Sequence, residues 1–186
     1  TTHGSFRAAR VCRSWQAAAA GCRRIRLLYC CGWRDAADKA FADWLRHRSP
    51  QLEALTLSGD SGKVLEALAD AAAAAAADDG SPLRLRTLRV LGCDVDLPLA
   101  GRLVANLPLL HTLQLDIKPQ HIEHISIPRT QRLVSEHLGA LQSATVLEEL
   151  YLGGPFITSG RRMPYDSTIA KLLPLSLKRL SWSTHT

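Results

Sequence analysis

The chain has 186 residues, enough for one domain with a substantial core, and 46% of them are hydrophobic. Its formal net charge of +6 is uneven: residues 1 to 48 hold ten basic and three acidic side chains, and residues 49 to 186 hold thirteen and fourteen, so the basic excess is an N-terminal property. The longest apolar run, Leu68 to Ala77, is short and interrupted by Asp70, which argues against a membrane span; five cysteines, an odd count, require no disulfide framework and point to a reducing compartment, cytoplasmic or nuclear.

The first predicted element is a helix over Ser5 to Ala20, with Phe6, Val11 and Trp15 at helical spacing and Arg7, Arg10 and Arg13 on the remaining surface. A strand follows over Cys22 to Cys31, then an amphipathic helix over Asp35 to Arg48 with Ala36, Ala40, Phe41, Trp44 and Leu45 on one face, closed by Pro50. Leu52 to Leu57 is the next strand and Lys63 to Ala77 the next helix, anchored by Val64, Leu65 and Leu68 and ended by the turn residues Asp78 to Pro82. The stretch from Leu85 to Cys93 places apolar residues at its first, fourth and sixth positions and a cysteine at its ninth. That frame recurs at Leu52, Leu55, Leu57; at Leu110, Leu113, Leu115; at Leu147, Leu150, Leu152; at Leu177, Leu180, Trp182; and more weakly at Cys22, Ile25, Leu27, with Cys30 in the ninth place. A loop over Ile117 to Pro128, a helix over Thr130 to Ala144, an irregular stretch over Gly153 to Pro164 and a helix near Asp166 to Leu173 fill the longer intervals.

This frame is that of a leucine-rich repeat, in which a short strand turns its fourth and sixth residues inward. Pro50, Pro82, Pro108 and Pro174 each precede a first-place leucine and set where the chain turns back into its strand. After Cys93, the run Asp94-Val95-Asp96 with Leu97 and Leu99 resembles the cysteine-containing repeat class of F-box proteins. The segment Arg10-Val11-Cys12-Arg13-Ser14-Trp15 resembles the last helix of an F-box, at the place where that family puts it, immediately before the repeats. The leucine-proline opening and first two helices of an F-box are not in the chain, so it reads as a fragment, with further repeats expected beyond Thr186. The expected organisation is an α/β leucine-rich repeat solenoid over residues 21–186, of about six irregular repeats, behind an F-box remnant or N-terminal cap over residues 1–20.

The resemblance implies a non-catalytic substrate-recognition subunit of a cullin-RING ubiquitin ligase: Val11 and Trp15 belong to the remnant that would dock the adaptor subunit, and the repeats would hold a target protein. The alternative is a repeat scaffold unrelated to ubiquitin. A nucleic-acid module is suggested by the sequence pI near 9.4, but Tyr151 is the lone aromatic among the residues facing away from the core, so base stacking has little to work with. Those outward positions make a ladder: Arg24 and Arg26, Thr56, Thr87 and Arg89, Gln114 and Asp116, Glu149 and Tyr151, and Arg179, which are the candidate partner-binding residues on the concave face. Arg26 and Arg89, about 10 Å apart at two strand spacings, would grip an acidic or phosphorylated segment.

Nothing in the sequence reads as an active site, a cofactor site or a metal site. Gly59-Asp60-Ser61-Gly62 resembles the nucleophile segment of chymotrypsin-like proteases, yet Lys63 follows it and helices stand where that fold needs strands, so Ser61 reads as a turn and helix N-cap. His121, Glu123 and His124 read as a polar loop, because a three-residue histidine spacing with no cysteine nearby is a poor ligand set. Cys30 and Cys31 are adjacent in a strand and must point to opposite faces.

Overall fold

Short apolar strands alternating with helix-forming stretches favour parallel pairing, because each crossover returns the chain to the same end of the sheet before the next strand begins. The computed structural model, which describes residues 24–32, 35–48, 51–78, 82–117, 132, 135–136, 139–153, 171 and 173–183, has that arrangement. In chain order the elements are β1 (Ile25–Cys30), α1 (Asp35–Arg48), β2 (Leu52–Ser58), α2 (Gly62–Asp78), β3 (Thr87–Val95), α3 (Leu97–Asn106), β4 (Thr112–Ile117), a 3-10 turn (Gly139–Ser143), β5 (Glu149–Gly153) and β6 (Arg179–Ser183). The six strands form one parallel sheet in sequence order, each paired with the next. The protein is therefore an α/β structure with a six-stranded parallel sheet and three α-helices among the described residues.

The core lies between sheet and helices. The fourth-place residues Leu55, Leu88, Leu113 and Leu150 stand side by side in register; of the sixth-place residues, Leu57 pairs with Val90 and Leu115 with Leu152, the register between β3 and β4 shifting after Arg89, and all are buried. First-place Leu52, Leu85, Leu110 and Leu147 close the same core from the strand entrances. From the helices, Phe41, Trp44 and Leu45 on α1, Val64, Leu65 and Leu68 on α2, and Leu99, Leu103 and Val104 on α3 complete it. Each fully buried leucine is worth roughly 1.5–3 kcal/mol against its exposed state, so the leucine rows account for most of what selects this register. At the sheet's last strand the cover thins: Leu180, in line with fully buried Leu150, is 45% exposed.

The first strand departs from the expected frame. Leu27 pairs with Leu55 and Tyr29 with Leu57, so β1 is displaced by two residues from the alignment of Ile25 with Leu55 and of Leu27 with Leu57. The reason lies in Tyr29: its ring stacks on Phe41 at 4.0 Å and its hydroxyl donates to buried Asp38 at 2.9 Å, which ties β1 to α1 and also accepts from the Gly32 amide. Because the shift is two residues, each side chain keeps its face. It does remove Cys30 from the ninth place, and Arg24 falls just before the strand rather than in it. Cys31 is the buried cysteine of the pair and Cys30 the exposed one.

Strand exits and helix starts follow from local chemistry. Gly59 leaves β2 at φ +80, and a Cβ there would lie 2.6 Å from the Cys31 carbonyl oxygen, so both the left-handed backbone and the close approach require glycine. Cys93, in the ninth place, accepts from the Ser61 amide of the preceding turn at 3.4 Å. Asp96 caps α3, accepting from the Leu99 amide at 2.8 Å, with Pro98 in the first turn where a missing amide costs nothing. Of the helix expected over 130–144, the described part comprises helical Arg132, Ser135 and Glu136 and the 3-10 turn Gly139–Ser143, whose Gly139 is a poor helix former.

Candidate partner-binding face

On a strand, successive side chains point to opposite faces. The leucine rows therefore leave the intervening residues on the face away from the helices. Register sets them in three rows across the sheet. Third-place residues form the row Arg26, Ala54, Thr87, Thr112, Glu149 and Arg179; fifth-place residues form the row Leu28, Thr56, Arg89, Gln114, Tyr151 and Ser181. Cys30, Ser58 and Leu91 make a seventh-place row over β1 to β3; the register then shifts, so that Asp116 pairs with Asp94 on β3 and with Gly153 on β5. Thus Thr56, Thr87, Arg89, Gln114, Asp116, Glu149, Tyr151 and Arg179 stand on one face. Arg26 joins them in the third-place row, two strands and one row away from Arg89, which makes their backbone separation about 12 Å rather than 10. Arg24 lies at the edge of this face. Val11 and Trp15 lie outside the described residues.

Much of the charge on this face is already engaged. Glu53 is the extra residue where Leu52 pairs with Ile25 and Ala54 with Arg26; such a bulge re-aims its side chain. Its carboxylate takes Arg26 at 3.2 Å and Arg24 at 3.9 Å, and only 13% of the Glu53 side chain is exposed. At the other end Glu149 accepts from Arg179 at 2.8 Å and from the Thr112 hydroxyl at 3.3 Å, while Arg179 also donates to the Tyr151 hydroxyl. Next to it Lys178 donates to Glu148 at 2.8 Å, and that hydrogen bond, followed by the Lys178 charge, holds the Glu148 carboxyl below its ordinary range. Arg26, expected to grip an incoming anion together with Arg89, is turned onto Glu53, as is Arg24.

The row missed in the sequence is the second-place one, Glu53, Arg86, His111, Glu148 and Lys178. Repeated backbone bonds define it: the Arg86 amide donates to the Glu53 carbonyl, His111 to Arg86, Glu148 to His111 and Lys178 to Glu148, at 2.8 to 2.9 Å. Strict alternation assigns these residues to neither row, but their place between a first-place and a fourth-place leucine is a readable signal. Against this background β3 stands out. Arg86 and Arg89 are exposed and neither side chain makes a hydrogen bond or ion pair with the described residues. Around Arg89 the register places Thr56, Gln114, Thr87 and Leu91.

The other sequence candidates resolve plainly. Ser61 is fully buried at the start of α2; its carbonyl accepts from the Leu65 amide at 2.9 Å, but its hydroxyl has no hydrogen-bond partner among the described residues, so it caps through the backbone and not through the side chain. A hydroxyl so enclosed does not meet a substrate. Among the described residues no three His, Cys, Asp or Glu side chains gather as a metal site, and His121, Glu123 and His124 lie outside them. Burial pushes the Cys31 thiol up to about 12, keeping it protonated and unreactive at neutral pH. No described helix is long and apolar enough to cross a membrane. A scan of protein-family models finds no match to this chain, and no curated protein matches it either.

Proposed function

We propose that the chain is a leucine-rich repeat solenoid preceded by an F-box remnant, and that it serves as the substrate-recognition subunit of an SCF-type cullin-RING ubiquitin ligase. The observation that carries the first half is the sheet's open face: strands paired only with their sequence neighbours, leucines stacked in register behind them, and rows of polar side chains with no role in the core in front. Curved sheets built this way present extended binding surfaces. The second half rests on the Arg10 to Trp15 segment and its resemblance to the last F-box helix. On this reading the protein performs no chemistry. It holds a target protein with an acidic or phosphorylated segment on the open face, while the adaptor subunit docks the N-terminal helix and another subunit's enzyme transfers ubiquitin. Such a protein works in the cytoplasm or the nucleus.

Affinity capture of the full-length protein from cells, followed by identification of co-purifying chains, tests the reading. The adaptor and a cullin are expected at near-equal amounts with the bait and are expected to vanish when Val11 and Trp15 are both changed to aspartate. Capture without either chain favours the scaffold reading, which shares every feature of the sheet and lacks only the N-terminal docking helix.

A further inference from the structure

The open face is not evenly available. Arg24 and Arg26 at the first strand are held by Glu53 and Arg179 on the last strand by Glu149 and Tyr151, which leaves Arg89 on β3 as the exposed arginine of this face with no partner among the described residues. Beside it lies apolar surface: Leu28 is 55% and Leu91 38% exposed. Leu28, Thr56 and Arg89 occupy one row on three consecutive strands, and Leu91 stands two residues beyond Arg89 on β3, beside Ser58. A cation, small hydroxyl-bearing residues and two exposed leucines thus share one patch over β1 to β3.

We propose that this patch is the target-binding site of the protein, and that it takes an extended peptide segment of the partner carrying an aspartate or glutamate three residues from an aliphatic side chain. The carboxylate pairs with Arg89 and the aliphatic side chain covers Leu28, while Leu91, two residues beyond Arg89 on β3, lies on the other side of Thr56 and Ser58. Spacing sets the motif. Arg89 and Leu28 are two strand spacings apart, about 10 Å, which an extended peptide spans in about three residues at roughly 3.3 Å each. Charge sets the anion. A single guanidinium matches one carboxylate through two parallel hydrogen bonds. A doubly charged phosphate would call on further cations, but Arg24 and Arg26 are bound to Glu53, and Arg86, three residues before Arg89, is about 10 Å away along the strand. Arg86 is available to a second acidic residue of the segment. The small side chains of Thr56 and Ser58 between the two leucine sites let a peptide backbone approach the sheet. This inference rests on the reading of the open face as a partner surface and is independent of the ligase connection.

Selection of a phage-displayed library of random peptides on the immobilised full-length chain, followed by fluorescence anisotropy with the enriched peptides in synthetic form, tests it. The enriched sequences are expected to share an acidic residue three positions from Leu, Ile, Val or Met. Arg89→Glu and Leu28→Asp should each weaken binding at least about tenfold with thermal melts unchanged, and a peptide whose acidic residue is replaced by lysine should regain affinity for Arg89→Glu. Arg26→Glu, a change at a residue already engaged by Glu53, should have a smaller effect. No enrichment, enrichment without an acidic residue, or unchanged binding by Arg89→Glu and Leu28→Asp overturns the proposal, as does a short single-stranded RNA that displaces the peptides by binding through Arg89. Co-purification of adaptor and cullin with a failed selection would sink the patch and leave the ligase reading standing; the opposite pair of results would do the reverse.

Discussion

Cys30 and Cys31 show how one backbone step decides chemistry. They are neighbours in sequence, yet one faces solvent, where it accepts from the Ser58 hydroxyl at 3.2 Å, and the other enters the core at 4% exposure. Burial raises the Cys31 thiol to about 12 because a thiolate there would lose its hydration, with nearby Asp38 adding to the effect. Two outcomes follow. In a Cys30→Ser chain, alkylation of Cys31 by iodoacetamide at pH 8 should be negligible until the protein unfolds, whereas in a Cys31→Ala chain Cys30 should label rapidly; peptide mapping by mass spectrometry distinguishes them. For pH, the thiol's folded value lies above its unfolded value near 9, so its contribution is fully present below pH 9. It is lost as pH rises toward 12, because only the unfolded chain releases the proton in that window. Denaturant midpoints of the wild-type chain should therefore fall faster above pH 9 than those of Cys31→Ala.

Among the elements, the strands carry the account. Leu88 is fully buried between Leu55 and Leu113, while Thr87 beside it faces the open side between Ala54 and Thr112. Leu88→Asp should cost at least the roughly 2–5 kcal/mol of deleting such a leucine, plus the penalty for an unpaired buried carboxylate, and should lower or abolish the thermal transition. Thr87→Asp should melt near the wild-type temperature; equal melts would mean that the strand faces are assigned the wrong way round. Five of the six strands were legible because leucine at the first, fourth and sixth places is a local signal that burial alone imposes. β1 was legible as a strand but not in register, since its alignment is set by a tertiary contact, Tyr29 with Phe41 and Asp38, that no spacing within the strand announces. The same limit applies to the face. Its rows were readable from alternation, but the Glu53 bulge that takes Arg24 and Arg26 out of play depends on pairing between strands.

At the scale of the whole molecule, the sheet separates two jobs. Its inner face and the helices hold the fold, and its outer face carries side chains that the fold does not need, engaged with one another at both ends and open along β3. The central claim is that partners are held on that outer face and not on the helical back. The most direct measurement is quantitative affinity capture of the full-length protein in three forms: wild type, a double variant Arg89→Glu with Leu28→Asp on the outer face, and Lys39→Glu on the exposed side of α1. The account predicts that the outer-face variant loses the target while retaining adaptor and cullin, and that Lys39→Glu retains all three. A target still captured in full by the outer-face variant, or lost from Lys39→Glu, would contradict it.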